Sequence, residues 1–533
     1  MARGTVIAAD VCILGAGAAG ITLALELAQN GLRVCLAEGG GTEFEYLESQ
    51  VLYQGVNSGI PIALETGRLR YLGGSTNHWG GRCAPLQELD FRRRDWIPHS
   101  GWPLQRAELD PYYLRAEKVA GFAAPWQSDA DTLKYLRAML PAVDATWLMP
   151  FIWHYTPPMK DAPVWRWSNA YGAQLRESNE IRTLLHANFA AFTTDKNHTR
   201  VRSITVSSMN GVSANIAAKT FILCCGGIEN ARLLLLGAEQ NSGGFASNGD
   251  LVGRYFMQHS RGPAATVVSA GHMTTVQEQF NILRGADGFE IEVGLALTPQ
   301  AQESERILNC SGVMQYLGDP DSGITAAQEI WRSLLAGSWG PNLGERVGIV
   351  AEDLSGVLQA VKRRVSSGHS LDREGSPVIP SRSAVLLLDL EQAPDPQSRI
   401  TLAAERDALG LRRVQADWRV GELERRTALE FTTHVAAEFA RLGIGRCKFE
   451  PWLQDARVPM TQSLHETYHY IGTTRMADTP ADGVVDRNCA VFGMENLYVA
   501  GSSIFPTAGQ ANPTLTIVAL ALRLADFLRQ HAQ

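Results

Sequence analysis

The sequence contains no C-x-x-C or C-x-x-C-H pair. Its eight cysteines are scattered, with only Cys224 and Cys225 adjacent, which gives no support to a zinc site, an attached haem or a disulfide framework. No metal-ligand set is assigned. No apolar run is long enough to span a bilayer, and the apolar stretch from Leu515 to Leu528 is interrupted by Arg523 and Asp526. Charge of either sign is also scarce in excess: 19% charged residues and a formal net charge of −7 give no electrostatic reason to expect nucleic acid. There is no internal repeat and no low-complexity tail, and the small basic cluster Lys362, Arg363 and Arg364 reads as a solvated helix end. MARGTVIAADVCILGAG enters a strand with no apolar secretory segment and no twin arginine, so a reduced, cytoplasmic protein without a membrane span is the expectation.

What is present begins at once. A chain of 533 residues, 45% of them apolar, is too long for one core and implies two domains. Val6 to Leu14 is rich in β-formers; GAGAAG follows from Gly15 to Gly20, then the helical pattern ITLALELAQNG and a second strand, RVCLAE, ending on Glu38. In such a unit Gly15 makes the tight turn, Gly17 lets a pyrophosphate approach a helix N-terminus, and Gly20 lets the helix pack on the strand. Glu38 is placed to bind ribose hydroxyls. The fold class is α/β with a Rossmann-type dinucleotide site.

The other end of the chain carries TYHYIGTTRM and NLYVAGSSIFPTAGQANPTLTIVALALRLADFL. His469 opens the first piece; Asn512 precedes Pro513 at the mouth of an apolar helix. The backbone donors of Thr514 and Leu515, with the positive end of the helix dipole, favour negative charge in front of them. A base, an amide and an anion-stabilising helix end suit removal of a proton and a hydride from an alcohol.

Between these ends lies RLRYLGGSTNHWGGRCAPL, whose glycine pairs, Gly73 with Gly74 and Gly80 with Gly81, let a loop lie flat against a planar ligand while Ser75, Thr76, Asn77 and His78 bring polar groups to it. GAGAAG, GGSTNHWGG, FILCCGGIENARLLL, VGRYFMQH, HYIGT and GSSIFPTAGQANPTLT together resemble the glucose-methanol-choline (GMC) family of FAD-dependent oxidoreductases. The similarity is greatest to its shorter bacterial sugar dehydrogenases, glycoside oxidases and pyranose oxidases. It implies FAD rather than NAD, and a substrate domain whose sheet is mainly antiparallel. It makes His469 the base and Asn512 its partner, at the family distance of 43 residues. It sets Gly73, Gly74, Ser75, Asn77, His78, Trp79, Phe189, Cys225, Gly226, Gly501, Ser502, Asn512, Pro513 and Thr514 along the cofactor, beside Gly15, Gly17, Gly20 and Glu38. His78 falls where some members bond a histidine covalently to the flavin and others hold FAD without a bond, and both alternatives stand.

The expected domains are an FAD-binding part from 1–89, 186–255 and 461–533, and a substrate part from 90–185 and 256–460. The tryptophan-rich stretch after Asp90 reads as helices and loops, with its aromatics serving core packing more readily than sugar stacking. GPAATVVSA, FEIEVGLAL, SAVLLLDLEQ and VQADWRV read as strands of a large antiparallel sheet, and TAAQEIWRSLLAG and GERVGIVAEDLSGVLQAVKRRV as helices. The substrate expected from the resemblance is a small-molecule alcohol, foremost a secondary hydroxyl of a sugar or glycoside. Oxidation of an aminoglycoside, another polyol or a sterol, a GMC-type lyase or decarboxylase, and a flavin subunit of an electron-transfer complex are the alternatives. With no haem or iron–sulfur motif, electrons leave for dioxygen, a quinone or a redox partner. Oligomeric state stays open.

Overall fold

Four-residue strands that are apolar at every position need cover on both faces, and the chain provides it. In the computed structural model Val11–Leu14 and Val34–Ala37 are buried throughout and lie in a five-stranded parallel sheet. Its order is Leu497–Val499, Thr220–Leu223, Val11–Leu14, Val34–Ala37, Ile181–Leu184. Helix Ala18–Ala28 makes the crossover between Val11–Leu14 and Val34–Ala37, and helix Thr514–His531 packs against it and against Arg106–Val119. The structure describes residues 5–122, 143–241, 250–269, 273–284, 290–317, 343–354 and 381–531, with a few isolated positions between them. The basic cluster Lys362 to Arg364 and most of TAAQEIWRSLLAG lie outside the described residues.

A four-stranded sheet, Thr5–Ala8, Ser213–Ala217, Val201–Ser207 and Asn188–Thr194, adjoins the parallel one. A nine-stranded antiparallel sheet forms the second domain. Its main path runs Arg446–Phe449, Ser260–Val268, Ser383–Leu390, Cys310–Leu317, Glu290–Leu297, Leu148–Tyr155, Arg82–Cys83, with His465–Glu466 added beside Ser260–Val268. Helix Glu422–Arg441 covers it, burying Phe431, Val435 and Phe439 in a separate core. The α/β architecture with a mainly antiparallel second domain is therefore as the sequence implies.

Two local readings differ. LMPFIWHY, within the stretch read as helices and loops, is the strand Leu148–Tyr155 and pairs along its whole length with Glu290–Leu297. Pro150 argues against a strand locally, but it is tolerated here and the aromatic alternation wins. VQADWRV does not join the large sheet: Arg412–Asp417 pairs with Arg399–Arg406 and, in parallel, with Gly55–Asn57. Trp153 and Trp167 are fully buried, so they serve the core.

Candidate active site

The first turn is built by close approach. A Cβ on Gly20 would stand 1.9 Å from the Gly15 carbonyl oxygen, and one on Gly15 would stand 2.6 Å from that of Cys224, so neither position has room for a side chain. A Cβ on Gly17 would meet nothing within 4 Å, because Gly17 faces a cleft. That cleft is a cavity of about 650 Å³, within the range of small-molecule sites. Gly15, Gly17, Glu38, Gly74, Ser75, His78, Trp79, Phe189, Cys225, Gly226, Gly501, Ser502, His469, Asn512, Pro513 and Thr514 all line it. The Glu38 carboxylate accepts hydrogen bonds from the N–H groups of Ala16 (2.8 Å) and Gly40 (3.1 Å), which fixes it at the cleft wall.

Three predicted residues stand behind the wall instead. Gly20 is a packing position. Gly73, at φ +94°, donates its N–H to Ala16 and ties the second glycine loop to the first. Asn77 donates to the Leu72 carbonyl at 2.9 Å and accepts from Ser168 at 2.6 Å, bracing that loop from within. Along with Phe189, Arg70 lines the cleft; its guanidinium donates to Asn188 Oδ1 at 2.9 Å and lies over Tyr53.

These residues fit FAD. The open Gly17 cradle, the helix start behind it and the tethered glutamate match what a dinucleotide requires. At the far end of the same cleft, the first bond of helix Thr514–His531 runs from the Ile517 N–H to the Pro513 carbonyl at 2.9 Å. The N–H groups of Thr514, Leu515 and Thr516 therefore precede the helical ladder, and Pro513 and Thr514 face the cavity.

His469 and Asn512 meet there, with His469 Nε2 3.4 Å from Asn512 Nδ2. The other ring nitrogen of His469 lies 2.8 Å from Nδ1 of His259 and 3.0 Å from the Thr467 hydroxyl. Burial pushes the imidazole well below its ordinary titration range, and His259 adds to the effect, so His469 is neutral and able to accept a proton.

Sequence reasoning missed the groups that surround this pair. Arg261, Arg82, Tyr155, His465 and Thr467 line the cavity beside His469. Sheet register places them: Arg261 is opposite both Asp389 and His465, and Arg82 is opposite Tyr155. Asp389 accepts from Arg261 (2.7 and 2.8 Å) and Arg82 (2.6 Å). Glu292 holds Arg82 Nε at 2.8 Å and accepts from the Tyr155 hydroxyl at 3.0 Å. Burial opposes ionisation of Asp389, but Arg82 and Arg261 outweigh it and hold the carboxyl well below the usual carboxylate range. Nη2 of Arg82 is buried with no hydrogen-bond partner among the described residues. No local signal in the sequence marks these positions, since six separate strands, and the loop that carries Thr467, contribute them.

Comparison with known proteins agrees with this geometry. Residues 394–521 match the GMC oxidoreductase C-terminal family, and residues 10–247 match the FAD dependent oxidoreductase family. The chain is 24% identical to the fructose dehydrogenase large subunit of Gluconobacter japonicus, over 98% of this chain and 97% of that protein. It is 23% identical to the 2-methyl-1,2-propanediol dehydrogenase of Mycolicibacterium austroafricanum, over 97% and 95%. A C-glycoside 3-oxidase of Arthrobacter globiformis is 31% identical over 28% of each chain. Among solved structures, pyridoxine 4-oxidase from Mesorbium loti superposes with a TM-score of 0.57 over 98% of this chain and 99% of that one at 17% identity, and so shows the shared fold. Formate oxidase of Aspergillus oryzae, studied for FAD modification, superposes with a TM-score of 0.56 over 100% and 99% at 15% identity. The chain is an FAD-dependent oxidoreductase of the GMC family, acting on CH–OH groups.

Proposed function

We propose that the chain oxidises a secondary hydroxyl of a sugar or glycoside to a ketone, with His469 as base. The observation that carries this reading is the meeting of His469 Nε2 and Asn512 Nδ2 on the wall of the cleft that Gly17 and Thr514 also line. The neutral Nε2 takes the hydroxyl proton, and the Asn512 amide holds the oxygen in line. Bound FAD supplies the acceptor for the hydride that leaves the alcohol carbon. The N–H groups at the helix start face the region where negative charge then collects, and favour it. Product leaves as a carbonyl compound with one proton left on His469.

The substrate end of the cleft supports a polyhydroxylated ligand over a sterol. Arg82, Arg261, Tyr155, His465 and Thr467 present donors and acceptors there, and the two guanidiniums are balanced by Asp389 and Glu292. That balance favours a neutral polyol, whose hydroxyls can pair with the polar groups on the cavity wall. A sterol carries one hydroxyl and offers that wall few such pairings. Full-length similarity to a protein named as a large subunit supports a redox partner as one electron acceptor. Anaerobic bleaching of the flavin is the test, against D-glucose, D-fructose, methyl glycosides, amino sugars and cholesterol, followed by re-oxidation with air and with a quinone. Reduction by a pyranose or glycoside supports the reading; reduction by cholesterol alone overturns it.

A further inference from the structure

His259 closes the motif VGRYFMQH, which by itself gives the residue no role, yet its ring is the nearest polar neighbour behind His469. It immediately precedes the strand Ser260–Val268, where Ser260 is paired with Glu466 and Arg261 with His465. The two chain segments continue side by side beyond those pairs, and the Thr467 hydroxyl donates to the His259 backbone carbonyl at 2.8 Å. His259 is 1% exposed. The two imidazoles stand nearly perpendicular, at 81°, with Nδ1 facing Nδ1 across 2.8 Å.

Two ring nitrogens at that distance require one hydrogen between them, and the neighbours decide whose it is. His259 Nε2 faces the Ala508 carbonyl oxygen at 3.4 Å. A carbonyl only accepts, so the proton of neutral His259 belongs on Nε2, and its Nδ1 presents a lone pair. The Thr467 hydroxyl hydrogen is already directed at the His259 carbonyl, so its oxygen also offers a lone pair to His469 Nδ1, at 3.0 Å. Two acceptors therefore converge on His469 Nδ1. On the opposite side, the amide Nδ2 of Asn512, a donor, faces His469 Nε2. The reverse assignment would oppose two lone pairs at Ala508 and two donors at Asn512.

We propose that His259 is a positioning residue: by accepting a hydrogen bond from His469 Nδ1–H, it holds His469 in the tautomer whose bare Nε2 faces the substrate cavity. This rests on the base role of His469 proposed above. It gives the buried His259 a duty that packing alone does not explain. Burial lowers both imidazoles, and His259 lowers His469 further. The charged groups facing His469 are Asp389, Arg261 and Arg82; those facing His259 are Asp389 and Glu391. Asp389 is taken up by Arg82 and Arg261, and Glu391 by Arg94 at 2.5 and 2.8 Å, so both of these carboxylates, the ones facing the pair among the described residues, are already engaged. The neutral His259 ring orients His469 instead. When His469 takes the substrate proton on Nε2, the same contact becomes a charge-assisted hydrogen bond and supports the imidazolium.

The test uses the full FAD-loaded chain as wild type, His259→Asn and His259→Leu. Asparagine places a carbonyl oxygen where Nδ1 was; leucine fills the space without an acceptor. Nitrogen-15 spectra of histidine-labelled protein near neutral pH, with the His469 ring assigned by its loss in His469→Ala, report which nitrogen carries the hydrogen. The expected wild-type pattern is a protonated Nδ1 and a bare Nε2. His259→Asn keeps that pattern; His259→Leu loses it. With D-fructose and methyl β-D-glucopyranoside as probes, the rate constant for anaerobic flavin reduction falls on the order of a hundredfold in His259→Leu and only a few-fold in His259→Asn, with FAD content unchanged. A wild-type proton on Nε2, or a His259→Leu ring that keeps the wild-type pattern, overturns the proposal. Normal reduction by His469→Ala would instead remove the base role and leave the tautomer result standing.

Discussion

Asn512 Nδ2 lies 3.4 Å from His469 Nε2, although 43 positions separate the two residues. Each comes from a loop, and each loop is anchored by a rigid element: Asn512 by the buried helix Thr514–His531, His469 by the strand pair that joins His465–Glu466 to Ser260–Val268. Catalytic groups carried on loops but tied to a scaffold in this way keep their geometry while leaving the cleft open to ligands.

Replacing Asn512 by alanine should leave FAD bound and His469 in place, but remove the group proposed to orient the substrate oxygen. The expected result is a fall in the flavin-reduction rate constant of about ten- to a hundredfold, with smaller change in substrate affinity, measured by stopped-flow at several concentrations.

Gly17 and Gly20 should respond differently to alanine. At Gly17 the added methyl meets no protein atom within 4 Å, so the apoprotein should melt like wild type while FAD retention drops. At Gly20 the methyl would stand 1.9 Å from the Gly15 carbonyl, so both melting temperature and FAD retention should fall. Equal behaviour of the two variants in thermal denaturation would contradict the division between cradle and packing glycines.

That division shows how far the sequence could be read. The six-residue GAGAAG and Glu38 form a local unit, and the chemistry of such a unit is complete within one strand, turn and helix. His469 and Asn512 were legible because each sits in a distinctive glycine- and proline-marked turn. Arg82, Arg261, Tyr155 and Asp389 were not, because no local pattern records which strands will lie side by side; His259 closes the motif VGRYFMQH, but nothing local shows that it faces His469. Arg261 faces Asp389 across 128 positions only through sheet register. The resemblance sets Gly73 and Asn77 along the cofactor, yet their side of the loop turns toward Ala16, Leu72 and Ser168.

Three buried histidines should make the fold acid-sensitive. Burial pushes His154 down to about 3 and lowers His259 and His469, whereas each takes a proton near pH 6.5 once unfolded. Their folded values lie below the unfolded one, so stability is full above about pH 6.5 and declines as pH falls toward the folded values, by up to ~1.4 kcal/mol per pH unit for each group. Urea unfolding between pH 7 and 4 measures the slope. His154→Phe should flatten it; an unchanged slope would contradict the assignment.

The same shift sets the acid limit of activity. A His469 that stays neutral below the ordinary imidazole range should support flavin reduction with no acidic limb near pH 6.5, the loss appearing only at lower pH. Reduction rates measured by stopped-flow from pH 8 downward, within the range where the fold persists, check this.

The most direct measurement is anaerobic flavin reduction by the best pyranose or glycoside of the panel in His469→Ala, with FAD content determined on the same sample. With His469 as the base, FAD should stay bound while the rate constant falls by about a hundred- to ten-thousandfold. Reduction at the wild-type rate, with FAD in place, would contradict it.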